Sequence, residues 1–164
     1  VADILIRAAR EEDADAVGTL WAGLVAHHHA LDPALPATTP DGPRRYAAAL
    51  RDHLCGDTTC VFVADHNGVV VGYVLGAMTD MISAWFVHAP TGFIADLYVC
   101  PEFQRRGVGR RLVNAMRDWF AACGVYQAEW AVAVENEAAL AFWRAMGGAP
   151  LQLRMRATWP EEER

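Results

Sequence analysis

Apolar positions recur along the chain with two different periods, and each change of period marks the edge of an element. Ile4-Leu5-Ile6 reads as a first strand. Glu11-Glu12-Asp13 suits the positive end of a helix. Ala16, Val17, Leu20, Leu24 and Val25 then recur at helical spacing, predicting a helix to about His28. Pro33, Pro36, Pro40, Gly42 and Pro43 break any regular element over residues 32–43. A shorter helix is expected over 44–54. Apolar runs at 61–64 and 69–75 flank Asp65-His66-Asn67-Gly68, and Asn-Gly between two such runs predicts a hairpin. Residues 78–91 fit two readings, a strand extension and an aromatic loop (Trp85, Phe86) that rims a pocket. Residues 93–99 form an apolar run of strand length. A helical pattern follows over 110–123, and 128–134 reads as another strand. Asn136 caps an expected helix over 137–146, which Gly147-Gly148 stops. Residues 151–158 read as a closing strand, followed by a charged tail.

One domain of alternating strands and helices is expected from 164 residues, of which 54% are hydrophobic and 21% charged. No internal repeat or linker is visible. Arg, Asp or His interrupts every apolar run before it reaches membrane-spanning length. The first residues lack the basic region and long apolar stretch of a signal peptide, so a cytoplasmic location is expected. Cys55, Cys60, Cys100 and Cys123 form no C-x-x-C pair and match no zinc-site spacing, so no metal is expected. Every one of the 14 basic residues is Arg. That removes Schiff-base and Walker-A lysine chemistry. A net charge of −6 argues against a nucleic-acid partner and favours a cationic substrate through steering.

Against that acidic background Arg105, Arg106, Arg110 and Arg111 crowd one turn, Gln104-Arg105-Arg106-Gly107-Val108-Gly109, between the strand at 93–99 and the helix after it. The first N–H groups of a helix have no internal acceptor, and the helix dipole adds positive charge there. Glycine lacks the Cβ that would hold a phosphate away from those N–H groups. A strand, a glycine turn and a helix start therefore make an anion cradle, suited to a pyrophosphate. The bland alternative is a glycine turn with solvated arginines.

Order and motifs together resemble the Gcn5-related N-acetyltransferase family over nearly the whole chain. Its Q/R-x-x-G-x-G/A signature is similar to Gln104-Arg105-Arg106-Gly107-Val108-Gly109, and its V-x-P-E lead-in to Val99-Cys100-Pro101-Glu102. Ile6-Arg7-Ala8-Ala9 with Glu12-Asp13-Ala14 resembles its opening strand and helix start. Asn136, Ala138-Ala139, Phe142-Trp143 and Gly147 resemble its downstream block. The resemblance implies a central mixed, mostly antiparallel sheet of six to seven strands with helices on both sides. It implies acetyl-CoA as co-substrate, with Gln104 and the N–H groups of Arg105, Arg106, Gly107, Val108, Gly109 and Arg110 on the pyrophosphate. Backbone groups of Leu97, Tyr98 and Val99 would meet the pantetheine arm where two strands splay. An N–H near Leu97 would polarise the thioester carbonyl. Asn136, Phe142 and Trp143 would line the arm, and Asn136 can cap its helix as well.

Trp143 departs from the family, which commonly places there a Tyr that protonates the departing thiolate. An indole N–H donates but is no acid near neutral pH. Three readings stay open. Tyr98 or a water supplies the proton; the thiolate leaves unprotonated, since a thiol pKa of roughly 8.5 permits it; or the protein binds CoA with little turnover. For the amine a base is needed, because an alkylammonium has a pKa near ~10. Strict alternation would put Asp96, Tyr98 and Ile94 on one strand face and Phe93, Ala95, Leu97 and Val99 on the other. A charged Asp in an apolar run needs a partner or a cleft, which makes Asp96 the candidate base, with Glu129 on the neighbouring strand in reserve.

The string around Asp96 is similar to polyamine and aminoglycoside acetyltransferases of the family. The expected reaction is therefore direct acetylation of a primary amine on a small cationic molecule in a ternary complex. Acetylation of a protein N-terminus or side chain is the alternative. Trp130-Ala131-Val132-Ala133 lacks the pattern of the ribosomal-protein subgroup. A CoA-binding regulatory protein is the third possibility. Family members are often dimers, so a homodimer is expected, with neither nucleic acid nor membrane as partner. His27-His28-His29 point in three directions from a helix and read as its solvated end.

Overall fold

A computed structural model describes residues 4–54, 57–78, 85 and 87–159. Strands β1 (Leu5–Ala8), β2 (Thr59–His66), β3 (Val69–Met78), β4 (Gly92–Val99) and β5 (Ala128–Glu129) form one sheet in the order β1-β2-β3-β4-β5. Neighbours are antiparallel except β4 and β5, which run parallel. Helices α1 (Ala14–Leu31) and α2 (Gly42–His53) follow β1, α3 (Val108–Ala122) links β4 to β5, and α4 (Glu137–Ala145) follows β5.

The sheet is the boundary between two cores. On one face Val17, Leu20, Ala47 and Leu50 from α1 and α2 pack on Val61, Val63 and Tyr73. On the other, Val108, Leu112, Val113, Met116 and Phe120 form the apolar stripe of α3 and meet Ala64, Val74, Ile94 and Val99. Leu112 and Met116 are fully buried, each side chain contributing about 1.5–3 kcal/mol of burial. The corner of β1, β2 and α1 is tied by Arg7. Its guanidinium donates to both oxygens of Asp13, at 2.7 and 2.9 Å, and to Asp65 Oδ2 at 3.0 and 3.1 Å.

Most expected elements form with edges moved by a few residues. The α1 helix runs on to Leu31, and α3 starts at Val108 rather than at 110 because Gly107 turns the chain into it. Among the described residues the sheet has five strands where six to seven are expected. The strand expected over 128–134 ends at Glu129, because β4 leaves it after Phe93 and removes its partner. Residues 151–158 form no strand. They carry no regular structure, with Leu151 71%, Leu153 68% and Met155 79% exposed, and no described strand pairs with them. Of the aromatic stretch at 78–91, Trp85 and Val87 are exposed, while 79–84 and 86 fall outside the described residues.

Candidate active site

The gap between β4 and β5 sets the geometry of the site. The two strands pair only at Gly92↔Ala128 and Phe93↔Glu129 and then part. Gly92 donates its N–H to Gln127 O, on the β5 side, at 2.9 Å, whereas Cys100 donates to Val71 O, on the β3 side, at 2.8 Å. Both positions are even-numbered, so an unbroken strand would aim them the same way. The reversal comes from Ala95. Gly76 pairs with Ile94 and Leu75 with Asp96, which leaves Ala95 as an extra residue in a bulge. Beyond it the N–H groups of Leu97 and Val99 face the gap.

The same bulge corrects the face assignment. Ile94 packs into the α3 core, while Leu97 and Val99 also lie on that side. Asp96 and Tyr98 face α1 and α2. Ile94 and Asp96 are thus on opposite faces, although an even spacing places them together.

At the end of β4 the chain makes a short 3-10 turn at Pro101–Phe103 and reaches the glycine turn. Gln104 Nε2 donates to Val99 O at 2.8 Å and so braces the turn on the strand. Arg105 (φ 60°) and Gly107 (φ 79°) are both left-handed. A Cβ on Gly107 would meet no atom within 4 Å, so the glycine serves conformation and leaves open space above the turn. The N–H groups of residues 105–110 have no partner among the described residues, since the first bond into the helix is Arg111 N–H to Gly107 O at 3.1 Å. Arg105, Arg106, Arg110 and Arg111 are exposed and form no ion pair with a described residue. Arg106 stands 5.5 Å over the Phe103 ring. A row of free N–H groups at a helix start with four exposed guanidinium groups suits a pyrophosphate.

Helix α4 closes this side. Asn136 is buried, and its Oδ1 accepts from Ala139 N–H at 3.0 Å, as a helix cap does. Phe142 lies beside Gly109, and Trp143 is buried, stacked on Trp130 with centroids 4.3 Å apart. The indole therefore has a packing role.

On the opposite face Asp96 stands in a cluster of aromatic residues. Tyr46 Oη, from α2, donates to Asp96 Oδ2 at 2.6 Å. The Tyr46 ring is stacked on Trp21 of α1, 4.7 Å between centroids and 13° from parallel. Tyr73 is fully buried, and its hydroxyl lies near Asp96 and Tyr46 without a hydrogen bond of good geometry. Burial pushes the Asp96 carboxyl above the usual carboxylate range, against the opposing pull of the Tyr46 and Tyr73 hydroxyls and His28. Burial, then the Asp96 charge, raises the Tyr46 phenol, so it stays a donor.

His28 is half-buried, and burial with the His27 charge lowers its pKa while Asp96 pulls it up. His29 Nδ1 meets Leu35 O at 2.8 Å. The solvated-end reading therefore holds for His27 alone. Tyr98 shares the Asp96 face, so close to α1 that a Cβ on Gly23 would come within 2.9 Å of its hydroxyl. Burial raises its pKa. Glu129 is exposed, opposite Phe93, with no hydrogen bond to the Asp96 cluster. Trp21, Tyr46 and Tyr73 escape sequence reading, since Tyr46 is 50 positions from Asp96 and no motif links them.

The site thus combines a splayed sheet, a glycine cradle at the end of β4 and a carboxylate held by a phenol on the α1–α2 side of the same strand. The model of the acetyltransferase (GNAT) family matches residues 24–147, and the chain belongs to that family. A probable N-acetyltransferase HLS1-like protein of Arabidopsis thaliana is 29% identical over 86 residues, 52% of this chain and 19% of that protein. The chain thus matches about a fifth of that relative's length. Among solved structures, a mutant of the BH1408 protein of Bacillus halodurans superposes with a TM-score of 0.80 at 22% identity, covering 95% of this chain and 99% of that one. The aminoglycoside N-acetyltransferase AAC(6')-Iy, solved with CoA, gives 0.72 at 20% identity over 97% and 96%. An aminoglycoside acetyltransferase from an uncultured soil metagenomic sample, solved with sisomicin, gives 0.66 at 19% over 97% of each chain. These likenesses establish the fold.

Proposed function

We propose that the protein moves an acetyl group from acetyl-CoA to a primary amine of a small cationic molecule, by direct attack in a ternary complex. The observation that carries this reading is Asp96, a half-buried carboxylate held by Tyr46 at 2.6 Å on a strand whose next residues turn their N–H groups into the β4–β5 gap. Base and oxyanion donor are thereby neighbours on one strand. Asp96 accepts the ammonium proton, and a raised pKa brings it closer to that task than an ordinary carboxylate. The Leu97 N–H stabilises the charge that grows on the thioester oxygen. The N–H groups of residues 105–110 hold the pyrophosphate, and the free amide N–H of Asn136 meets the cofactor arm. With Trp143 in the core, the thiolate leaves unassisted or takes its proton from Tyr98 or water.

A base that must be ionised loses activity as pH falls through its pKa, so the acid limb of the rate profile belongs above the ordinary carboxylate range. The acidic net charge and the aminoglycoside enzymes that share the fold support a polycationic amine. A homodimer is part of the proposal, supported by the exposed Leu151, Leu153, Met155 and Trp159 of the C-terminal segment. Light scattering that returns a monomer at micromolar concentration would remove it.

Thiol release from acetyl-CoA, measured against polyamines, aminoglycosides, amino acids and short peptides, tests the function. Turnover with polyamines or aminoglycosides is expected. Turnover with peptides alone would move the reaction to protein acetylation. Acetyl-CoA binding without turnover would favour a regulatory protein.

A further inference from the structure

Three features outside the acetyl-CoA cradle stand out: the Arg7–Asp13–Asp65 corner, the exposed C-terminal segment and the aromatic cluster around Asp96. In the first, every charge is already paired. The second underlies the homodimer proposed above. The third is built for a task that packing alone does not require, because it buries polar groups about one carboxylate.

We propose that Tyr46 is a positioning residue for the transfer, clamping Asp96 Oδ2 so that the other carboxylate oxygen is presented, ionised, to the acceptor amine. The inference rests on the reading of Asp96 as base. Its geometry has three parts. The 2.6 Å Tyr46–Asp96 bond occupies one oxygen of the carboxylate and fixes its plane. The Trp21 stack fixes the Tyr46 ring, so the hydroxyl has little freedom to follow a moving partner. Tyr73, at 0% exposure, places a second phenol beside the same pair with no hydrogen bond of its own. A buried hydroxyl left unpaired is costly, and here it adds a dipole to the surroundings of Asp96.

The titratable groups that face Asp96 are His28 from α1, Tyr46 from α2 and Tyr73 from β3. Tyr46 donates to the ionised form and so favours it. Its loss moves the carboxyl upward, and the base is then available only at higher pH.

The test is Tyr46→Phe, which keeps the ring and its stack. Two readouts are taken: the pH profile of kcat/KM with the amine that turns over fastest, and the Asp96 carboxyl 13C shift followed against pH in the labelled protein. Both midpoints should rise by about one pH unit, with acetyl-CoA affinity unchanged. In an Asp96→Asn background Tyr46→Phe should cost no further rate, because its effect passes through the carboxylate. Tyr73→Phe removes an unpaired hydroxyl without loss of folding and should shift the carboxyl the same way by less.

A Tyr46→Phe titration that coincides with wild type overturns the proposal, as does a rate loss of equal size at every pH. If the 13C midpoint rises while Asp96→Asn keeps full rate, the base reading fails and the clamp on Asp96 stands as a structural device.

Discussion

The edge of β4 and one of its faces hold opposite kinds of site. Along the β4–β5 gap and at the turn beyond it the chain offers backbone: the Leu97 and Val99 N–H groups and the N–H row of residues 105–110. Toward α1 and α2 it offers side chains, with Asp96, Tyr46, Tyr73 and His28 arriving from four elements. In the proposed reaction the backbone site takes what every acyl-CoA shares. A side-chain site can be rewritten residue by residue, so in that reading acceptor choice can change while the cofactor half stays as it is. One bulged residue, Ala95, separates the two, because it decides which groups of β4 face which side.

The sharpest way to break this division is Asp96→Asn. It should lower kcat by about 10²–10⁴-fold, the range for a lost general base, while calorimetric titration with CoA returns the wild-type affinity. A parallel loss of CoA binding would mean that the edge site and the face site do not act separately.

Asp13→Asn supplies the control, since it lies at the β1 corner outside both sites. Arg7 holds this carboxyl below the usual range, aided by the Arg10 N–H and opposed by burial. Arg7 keeps Asp65 in the variant, so the loss is that of a charged hydrogen bond, about 1.5–3 kcal/mol, read as a lower urea midpoint with kcat per folded molecule unchanged. The sign of its pH dependence follows. A depressed carboxyl stabilises the fold above its unfolded pKa of about 3.9. That contribution is lost as pH falls through the lower folded value. The variant should therefore lose less stability than wild type on acidification below about pH 4.

Gly107→Val probes the backbone half alone. At φ 79° a β-branched residue is strained by about 1–2 kcal/mol, and its side chain fills the open space above the turn. KM for acetyl-CoA should rise about tenfold with the amine KM unmoved; a change confined to the amine would reverse the assignment. The smallest effect belongs to Glu129→Gln. An exposed residue outside the cluster should change kcat by no more than about twofold, and a larger loss would make Glu129 a second base.

Legibility in the sequence follows the same division. The cradle is contiguous, so Gln104-Arg105-Arg106-Gly107-Val108-Gly109 shows its glycines, its arginines and the helix start together. Asp96 shows as a charge in an apolar run. Its partners do not, because contacts 50 positions apart leave no mark on local pattern. The Ala95 bulge is equally hidden, since alternation assumes one residue per step and the extra residue exists only relative to β3. The alternation over 151–158 is genuine strand pattern, yet a strand needs a neighbour and that segment has none among the described residues.

What the sequence determined by itself was therefore what short-range physics controls: helix stripes and caps, the Asn67-Gly68 hairpin and the anion cradle. Tertiary structure decided which backbone groups face the β4–β5 gap, which carboxylate is clamped, that Trp143 is packed against Trp130, and where the sheet stops. Those depend on pairing and burial between distant segments, which no local pattern encodes.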